Sequence, residues 1–365
     1  MDIVEEILKH NRLALSKGIT AVENEYDNAV DIMTKIYTHT GHAYVIGITG
    51  PPGAGKSTLL KHVFTDYNRV TFDDKMTRIQ AKEEPKLFFL NDLSLREINN
   101  IDFNKHFVPT DSYIKERESC LKNYDDIWTI IHKGTYPELY DVDRDWQDFY
   151  SSYVNTYLER DVKELSQVGK LDAFYNFLVY MAARTGQELH YDEIARSIGV
   201  SAPTAKAWVT ILERSGVIYL LRPYASNITK RLVKTPKVYF MDTGLAAYLC
   251  RWSSAETLES GAMSGAFFET YVVSELVKNY YNAGRVPDLY YYRDIDKKEI
   301  DILIVRDGKA YPIEVKKNKL PDKPDKNFGI LGKLGLEVCT GLAICLCNEI
   351  MPYSRDCYLV PVTVI

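Results

Sequence analysis

The chain has 365 residues, of which 46% are hydrophobic and 26% charged, and a net charge of −5. This is the composition of a globular protein long enough for two or three domains with their own cores, and the charge excludes a global nucleic-acid signature, so any such contact must come from a local patch. Six cysteines without a CxxC pair argue against a zinc site or a disulfide framework and for a reducing, cytoplasmic setting. The acidic, amphipathic start predicts no signal peptide, and no apolar run approaches about 18 residues, so no membrane span is expected.

In chain order, residues 3–37 read as two helices, with Ile3/Ile7 and Val4/Leu8 sharing faces. Ala43 to Thr49 is a nearly continuous apolar run, the pattern of a strand buried on both faces. It leads into Gly50, Pro51, Pro52, Gly53, Ala54, Gly55, Lys56, Ser57 and Thr58, whose spacing is that of a phosphate-binding P-loop. The glycines let successive backbone N–H groups curl around a phosphate, and the following helix, Ser57 to Phe64, points its positive end at the same charge. Lys56 would reach the β- and γ-phosphates and the Ser57 hydroxyl would ligate Mg²⁺. Short strands are expected at Arg69–Phe72 and Lys86–Leu90, and residues 91–145 are mixed, with turn signals at Pro109, Gly134 and Pro137.

From Asp145 to about Leu165 a helix carries a stripe of Phe149, Tyr153 and Tyr157 beside a second of Tyr150, Val154, Leu158 and Val162, a wide core-facing surface. Residues 171–222 have helix-turn-helix grammar: a helix from Asp172 to Ala183, another up to Ile198, the turn Gly199-Val200, a Ser201 N-cap, a helix from Pro203 to Arg214, and a strand Val217–Leu221 as wing. In a DNA-reading version Ser201, Thr204, Lys206 and Thr210 would face bases or phosphates. The same grammar serves protein docking, and Lys206 and Arg214 are the cations there. Asp242 ends an apolar run as a Mg²⁺-binding strand would, but it lies beyond the wing, and an ordinary strand and turn is the better reading.

The C-terminal region alternates helix and strand: a helix from Phe267 to Leu276, then strands at Leu289–Tyr292, Ile300–Val305, Ala310–Lys316, Leu342–Leu346 and Tyr358–Ile365. Asp307-Gly308 makes a tight hairpin between the second and third strands. Strand periodicity puts Glu314 and Lys316 on one face, and the hairpin brings Asp301 alongside. Asp301 and Glu314 can hold a divalent metal through oxygen, while Lys316 orients a water, with Glu269 or Glu275 completing the shell. An ordinary sheet with a solvated Glu314–Lys316 ion pair would give the same pattern. This D…ExK order resembles the PD-(D/E)xK nuclease fold.

From about residue 70 to 365 the chain resembles a prokaryotic family of AAA-like P-loop ATPases with a winged helix and a C-terminal PD-(D/E)xK-like domain of unknown function. The segments Val70–Asp74, Leu93–Ile98, Gly134–Glu138, Tyr157–Asp161, Ala182–Gly186, Ser201–Lys206, Tyr239–Leu245, Glu299–Asp301 and Pro312–Lys316 carry this likeness. Residues 1–60, through Gly18–Asn24 and Ile46–Thr58, are similar to the methylmalonyl-CoA-mutase-associated G-protein chaperones, which would imply GTP. No Asn-Lys-x-Asp guanine motif follows, since Asn318-Lys319 runs into Leu320-Pro321. The acidic strand that completes the Mg²⁺ shell in the ATPase family is missing between Pro85 and Glu97, with Asp92 the nearby substitute.

The expectation is therefore an α/β protein in three parts: residues 1–145 as N-terminal helices and a P-loop domain with a truncated sheet, 146–255 as a helical and winged-helix domain, and 256–365 as a restriction-endonuclease-like α/β domain. Its function would be binding of ATP with Mg²⁺, with ATPase turnover left open. The alternative is a DNA-binding or metal-dependent DNA-cleaving protein regulated by nucleotide, and a GTP-using chaperone is a third reading. The expected partners are nucleotide and, through the winged helix, DNA, with no membrane and with oligomerisation left open.

Overall fold

The computed structural model describes residues 4, 14, 21, 26, 29–37, 46–49, 86–89, 92–103, 105–121, 126–141, 143–156, 171–225 and 235–365. The chain divides into two compact units, residues 1–48 with 68–88 and residues 49–67 with 89–365. In the first, helix α1 (Ala29–Tyr37) buries Ile32 with Val4 and Ala21. Strands β1 (Ile46–Thr49) and β2 (Lys86–Phe89), of which all but the last residue of each belong to the first unit, form a two-stranded sheet, and both are strands as their apolar runs predict.

Within the second unit, residues 92–141 lack a readable period and nevertheless fold into short helices. These are α2 (Leu95–Ile98), α3 (Asp111–Glu118), α4 (Ile127–Lys133) and α5 (Glu138–Asp141). Their starts are set by side chains. Ser94 and Glu97 make a capping box on α2, and Thr110 and Asp126 accept backbone N–H bonds at α3 and α4, relieving orphan donors of the first turn. Helix α6 (Trp146–Thr156) buries Phe149, Tyr150, Tyr153 and Val154. The core-facing stripe is thus present as far as Thr156; Tyr157, Leu158 and Val162 lie outside the described residues.

Helix α7 (Leu171–Ala183) precedes α8 (Tyr191–Ile198) and α9 (Ala202–Arg214). Gly199, at φ 75°, takes the left-handed position that ends α8, and Ser201 caps α9 by accepting the Thr204 N–H. Strands β3 (Ile218–Leu221) and β4 (Lys237–Phe240) then pair antiparallel. Next come α10 (Thr243–Leu249), α11 (Ala255–Ser260) and the 19-residue α12 (Ser264–Asn282), which is buried over most of its length.

The remaining strands are β5 (Leu289–Arg293), β6 (Glu299–Arg306), β7 (Lys309–Val315), β8 (Glu337–Val338), β9 (Gly341–Cys345), β10 (Met351–Ser354) and β11 (Cys357–Pro361). They form one sheet in the order β10-β11-β9-β7-β6-β5, with β8 added to β7. Strands β7, β9 and β11 run parallel, and β9 is buried at every position, which is why these segments read as continuous apolar runs. Arg306 pairs with Lys309 across Asp307-Gly308, both at positive φ (51° and 77°), the two-residue turn expected from the sequence. The last strand is shorter than its β-branched run suggests: it stops at Pro361, and Val362–Val364 turn into a 3₁₀ segment. Buried arginines explain the turn, because Arg117 donates to the Thr363 carbonyl at 2.7 Å and Arg96 to the Ile365 oxygen at 2.8 Å. One hydrophobic core runs from Leu95 to Ile365, including Trp208, Phe268 and Ile344.

Candidate functional site

Strands β6 and β7 bring three of the sequence-predicted residues together. The Asp301 carboxylate accepts the Val315 N–H at 2.9 Å, which ties the start of β6 to the end of β7. Lys316 Nζ sits 2.7 Å from Glu314 Oε1 and 3.5 Å from Asp301 Oδ2. Glu314 is only 5% exposed and, among the described residues, its Oε2 has no hydrogen-bond partner. Burial, reinforced by the charge of Asp301 and opposed by Lys316, pushes its carboxyl up to about 7. The Lys316 ammonium is held above its ordinary value, because Asp301 and Glu314 outweigh the cost of burial. The pair is therefore neither a solvated surface bridge nor a satisfied buried one.

Beside it lies a second charged layer that sequence reasoning missed. Lys237, on β4, is buried with its Nζ 2.6 Å from Glu299 and 3.3 Å from Glu269. Tyr239, two residues on, donates its hydroxyl to Glu269 at 2.5 Å. Arg293 on β5 bridges Glu299 and, at 2.6 Å, Glu188 just before α8. Burial works against the Lys237 charge, yet Glu269, Glu299 and Asp301 prevail and raise its pKa. Burial likewise raises Glu269, with Lys237 opposing and Asp301 reinforcing the shift. The sequence does hold a signal for this layer: Lys237 and Tyr239, and again Glu299 and Asp301, are polar groups at i,i+2 in otherwise apolar strands.

The two glutamates proposed to complete a metal shell have other partners. Glu269 faces Lys237 and Tyr239, and Glu275 accepts the Leu95 N–H at 2.7 Å and pairs with Lys278 at 3.4 Å, in a buried network that continues to Thr135. Among the described residues, no three Asp, Glu, His or Cys side chains are arranged to hold a metal ion. Asp301 and Glu314 alone offer a two-carboxylate oxygen set, which suits a hard divalent cation whose other ligands are water or substrate oxygens. The unpartnered Glu314 Oε2 fits such a guest.

The helix-turn-helix residues divide. Ser201 is engaged as the α9 cap and with the Thr204 hydroxyl at 2.7 Å, and Thr210 donates to the Lys206 carbonyl at 2.9 Å. Lys206 is exposed. Asp242 is an N-cap, as an ordinary strand and turn implies. Its two oxygens accept from Leu245 N, Tyr150 Oη and Thr135 N, each at 2.6 Å. The close approach around it needs glycine at Gly134, at φ 82°, where a Cβ would strike Tyr150 and both Asp242 oxygens. The P-loop residues Gly50 to Thr58, the expected strand Arg69–Phe72 and the helix Ser57–Phe64 lie outside the described residues. Asp92 is buried beside α2. No described helix is long and apolar enough to cross a membrane, and all six cysteines are free.

Three family models match separate stretches of the chain. Methylmalonyl Co-A mutase-associated GTPase MeaB matches residues 15–71, and two domains of unknown function, DUF8612 and DUF4143, match 124–256 and 264–365. An uncharacterized protein of Mycobacterium tuberculosis is 31% identical over 177 residues, 48% of this chain and 38% of that protein. A Pyrococcus abyssi protein named "Putative GTPase" is 54% identical over 59 residues, 16% of this chain and 18% of its own. A protein of the same name from Pyrococcus horikoshii is 48% identical over 68 residues, 19% of this chain and 22% of its own. The chain therefore spans well under two thirds of the curated relatives it matches. The match at residues 15–71 agrees with the likeness carried by Gly18–Thr58. The chain is of the α/β class, and its N-terminal segment is related to the P-loop NTPases, a nucleotide-binding group.

Proposed function

We propose that the chain binds ATP with Mg²⁺ through Gly50–Thr58. The carrying observation is that this motif, preceded by strand β1, falls inside the 15–71 match to a P-loop GTPase family. In this reading the backbone amides and Lys56 hold the phosphates, and Ser57 holds the metal. In this reading guanine is not selected, which the missing Asn-Lys-x-Asp motif supports. Titration of ATP and GTP with Mg²⁺ tests the reading. Similar affinities, both lost in Lys56→Ala, support it; a hundredfold preference for GTP returns the chain to the G-protein chaperones. Phosphate release compared between wild type and Lys56→Ala tests turnover, and equal rates reject an ATPase.

A second reading rests on a different observation, the unpartnered, buried Glu314 Oε2 beside Asp301 and Lys316. It makes the C-terminal region a PD-(D/E)xK-like site acting on phosphodiesters, with α8, α9, β3 and β4 as a winged helix that presents Lys206 to nucleic acid. Asp301 and Glu314 would hold a divalent ion, which when bound supplies Lewis-acid polarisation of a phosphoryl oxygen. Lys316 would orient the attacking water. Metal-dependent nicking of plasmid DNA, lost in Glu314→Ala, supports this reading, and no binding to nucleic acid at low salt counts against it.

A further inference from the structure

The carboxylates at the start of β6 and the end of β7 do not stand alone. Glu299, Glu269, Asp301 and Glu314 form a continuous acidic cluster. Lys237 contacts the first two and feels the charge of Asp301, Glu269 feels Asp301, and Glu314 feels both Asp301 and Glu269. Among the described residues, two ammonium groups lie in it. Lys316 is over one third exposed at its side chain, whereas the Lys237 side chain is 5% exposed, held by two carboxylates and lying 5.6 Å from the Tyr291 ring centre. Strand β4 is itself fixed. It pairs with β3, and Glu188 and Lys237 form a β-bridge, so the ammonium is delivered by backbone that cannot shift alone.

We propose that Lys237 is the resident cation of this cluster and determines what other cation the cluster accepts. It fills the Glu269–Glu299 half, so Asp301 and Glu314 remain for one divalent ion, and its fixed positive charge weakens that ion's binding. The proposal rests on the reading of Asp301 and Glu314 as metal ligands. Its physical basis is Coulombic: Lys237 is near enough to Asp301 to feel its charge, and in a partly buried site a fixed unit charge opposes a divalent cation far more than the same charge in water. Tyr239 and Arg293 keep Glu269 and Glu299 hydrogen-bonded if the ammonium is removed, so the fold can survive the change.

The test is a Mn²⁺ titration of the full chain without nucleotide, read by loss of the free-ion paramagnetic resonance signal. Lys237→Met is expected to bind Mn²⁺ about tenfold tighter than wild type or better. Lys237→Arg, which keeps the charge, should bind like wild type, and adding Asp301→Asn to Lys237→Met should abolish the gain. Lys237→Gln, which keeps a donor without the charge, should show the same gain if Lys237→Met folds poorly. Wild-type binding with no gain in either neutral variant overturns the role of Lys237 and leaves Asp301 and Glu314 as ligands. No Mn²⁺ binding in wild type or either variant overturns both. Binding only in the neutral variants supports the proposal in its strongest form.

Discussion

Two buried carboxylates in the larger unit, Asp242 and Glu314, meet opposite fates. Asp242 sits where β4 turns into α10 and is saturated: two backbone N–H groups and a tyrosine hydroxyl donate to it at 2.6 Å, and the Thr135 hydroxyl at 3.3 Å. Glu314, next to last in β7, has one oxygen on Lys316 and, among the described residues, no partner for the other. Their burial is similar, 2% and 5% exposed, so burial does not separate them. What separates them is the count of donors. A carboxylate whose acceptor sites are filled by its own chain is a joint in the architecture, while one held with a vacant oxygen and a raised pKa has the profile of a binding group.

The comparison breaks first if Asp242 proves dispensable. Asp242→Ala strands several buried donors and removes a helix cap, and should cost about 3–4 kcal/mol of stability in urea unfolding. A cost below about 1 kcal/mol would remove Asp242 from the architecture. The second test concerns Glu314 in metal-free buffer. Its folded pKa is raised from 4.5 to about 7, so its contribution to stability is full below pH 4.5 and is lost as pH rises to about 7. Glu314→Gln, which imitates the protonated acid, should therefore gain on wild type between pH 5 and pH 8, by up to about 3 kcal/mol. A constant difference in melting temperature across that range would mean that Glu314 is ionised without penalty.

Smaller effects sharpen the contrast between a residue that caps α9 and one that stands exposed on it. Ser201→Ala should cost about 1 kcal/mol, because it removes the α9 cap. On the proposed nucleic-acid reading, Lys206→Ala should leave melting unchanged and lower only affinity for nucleic acid at low salt. At the bottom of the scale stands the exposed Lys105–Glu116 pair, at 2.6 Å, where Lys105→Ala should change stability by less than about 0.5 kcal/mol.

Much of the C-terminal sheet was legible in the sequence. The apolar runs at Ile300–Val305 and Ala310–Lys316 and the Asp307-Gly308 turn suffice to set Asp301, Glu314 and Lys316 side by side, because a two-residue hairpin fixes register. Less legible was what closes around them. Lys237 precedes Glu299 by a long stretch of chain, and no local period links the two. The short helices between Leu95 and Asp141 also escaped the reading, since Asp111–Glu118 is largely polar and buries Tyr113, Ile114 and Arg117 only because the rest of the fold is there. The same tertiary pull turned Val362–Val364 away from the strand that their β-branched side chains favour.

The position of Lys237 also bears on how such a protein can be taken apart or exchanged. It lies within the stretch matched by one domain family, 124–256, while the carboxylates it neutralises lie within another, 264–365. A fragment cut at the border between the two would keep Glu269 and Glu299 without their ammonium, and Lys278 without Thr135. Swapping either half into a different protein therefore means re-matching charges across the seam. By that measure a recombinant fragment of this chain meant to fold should carry both stretches.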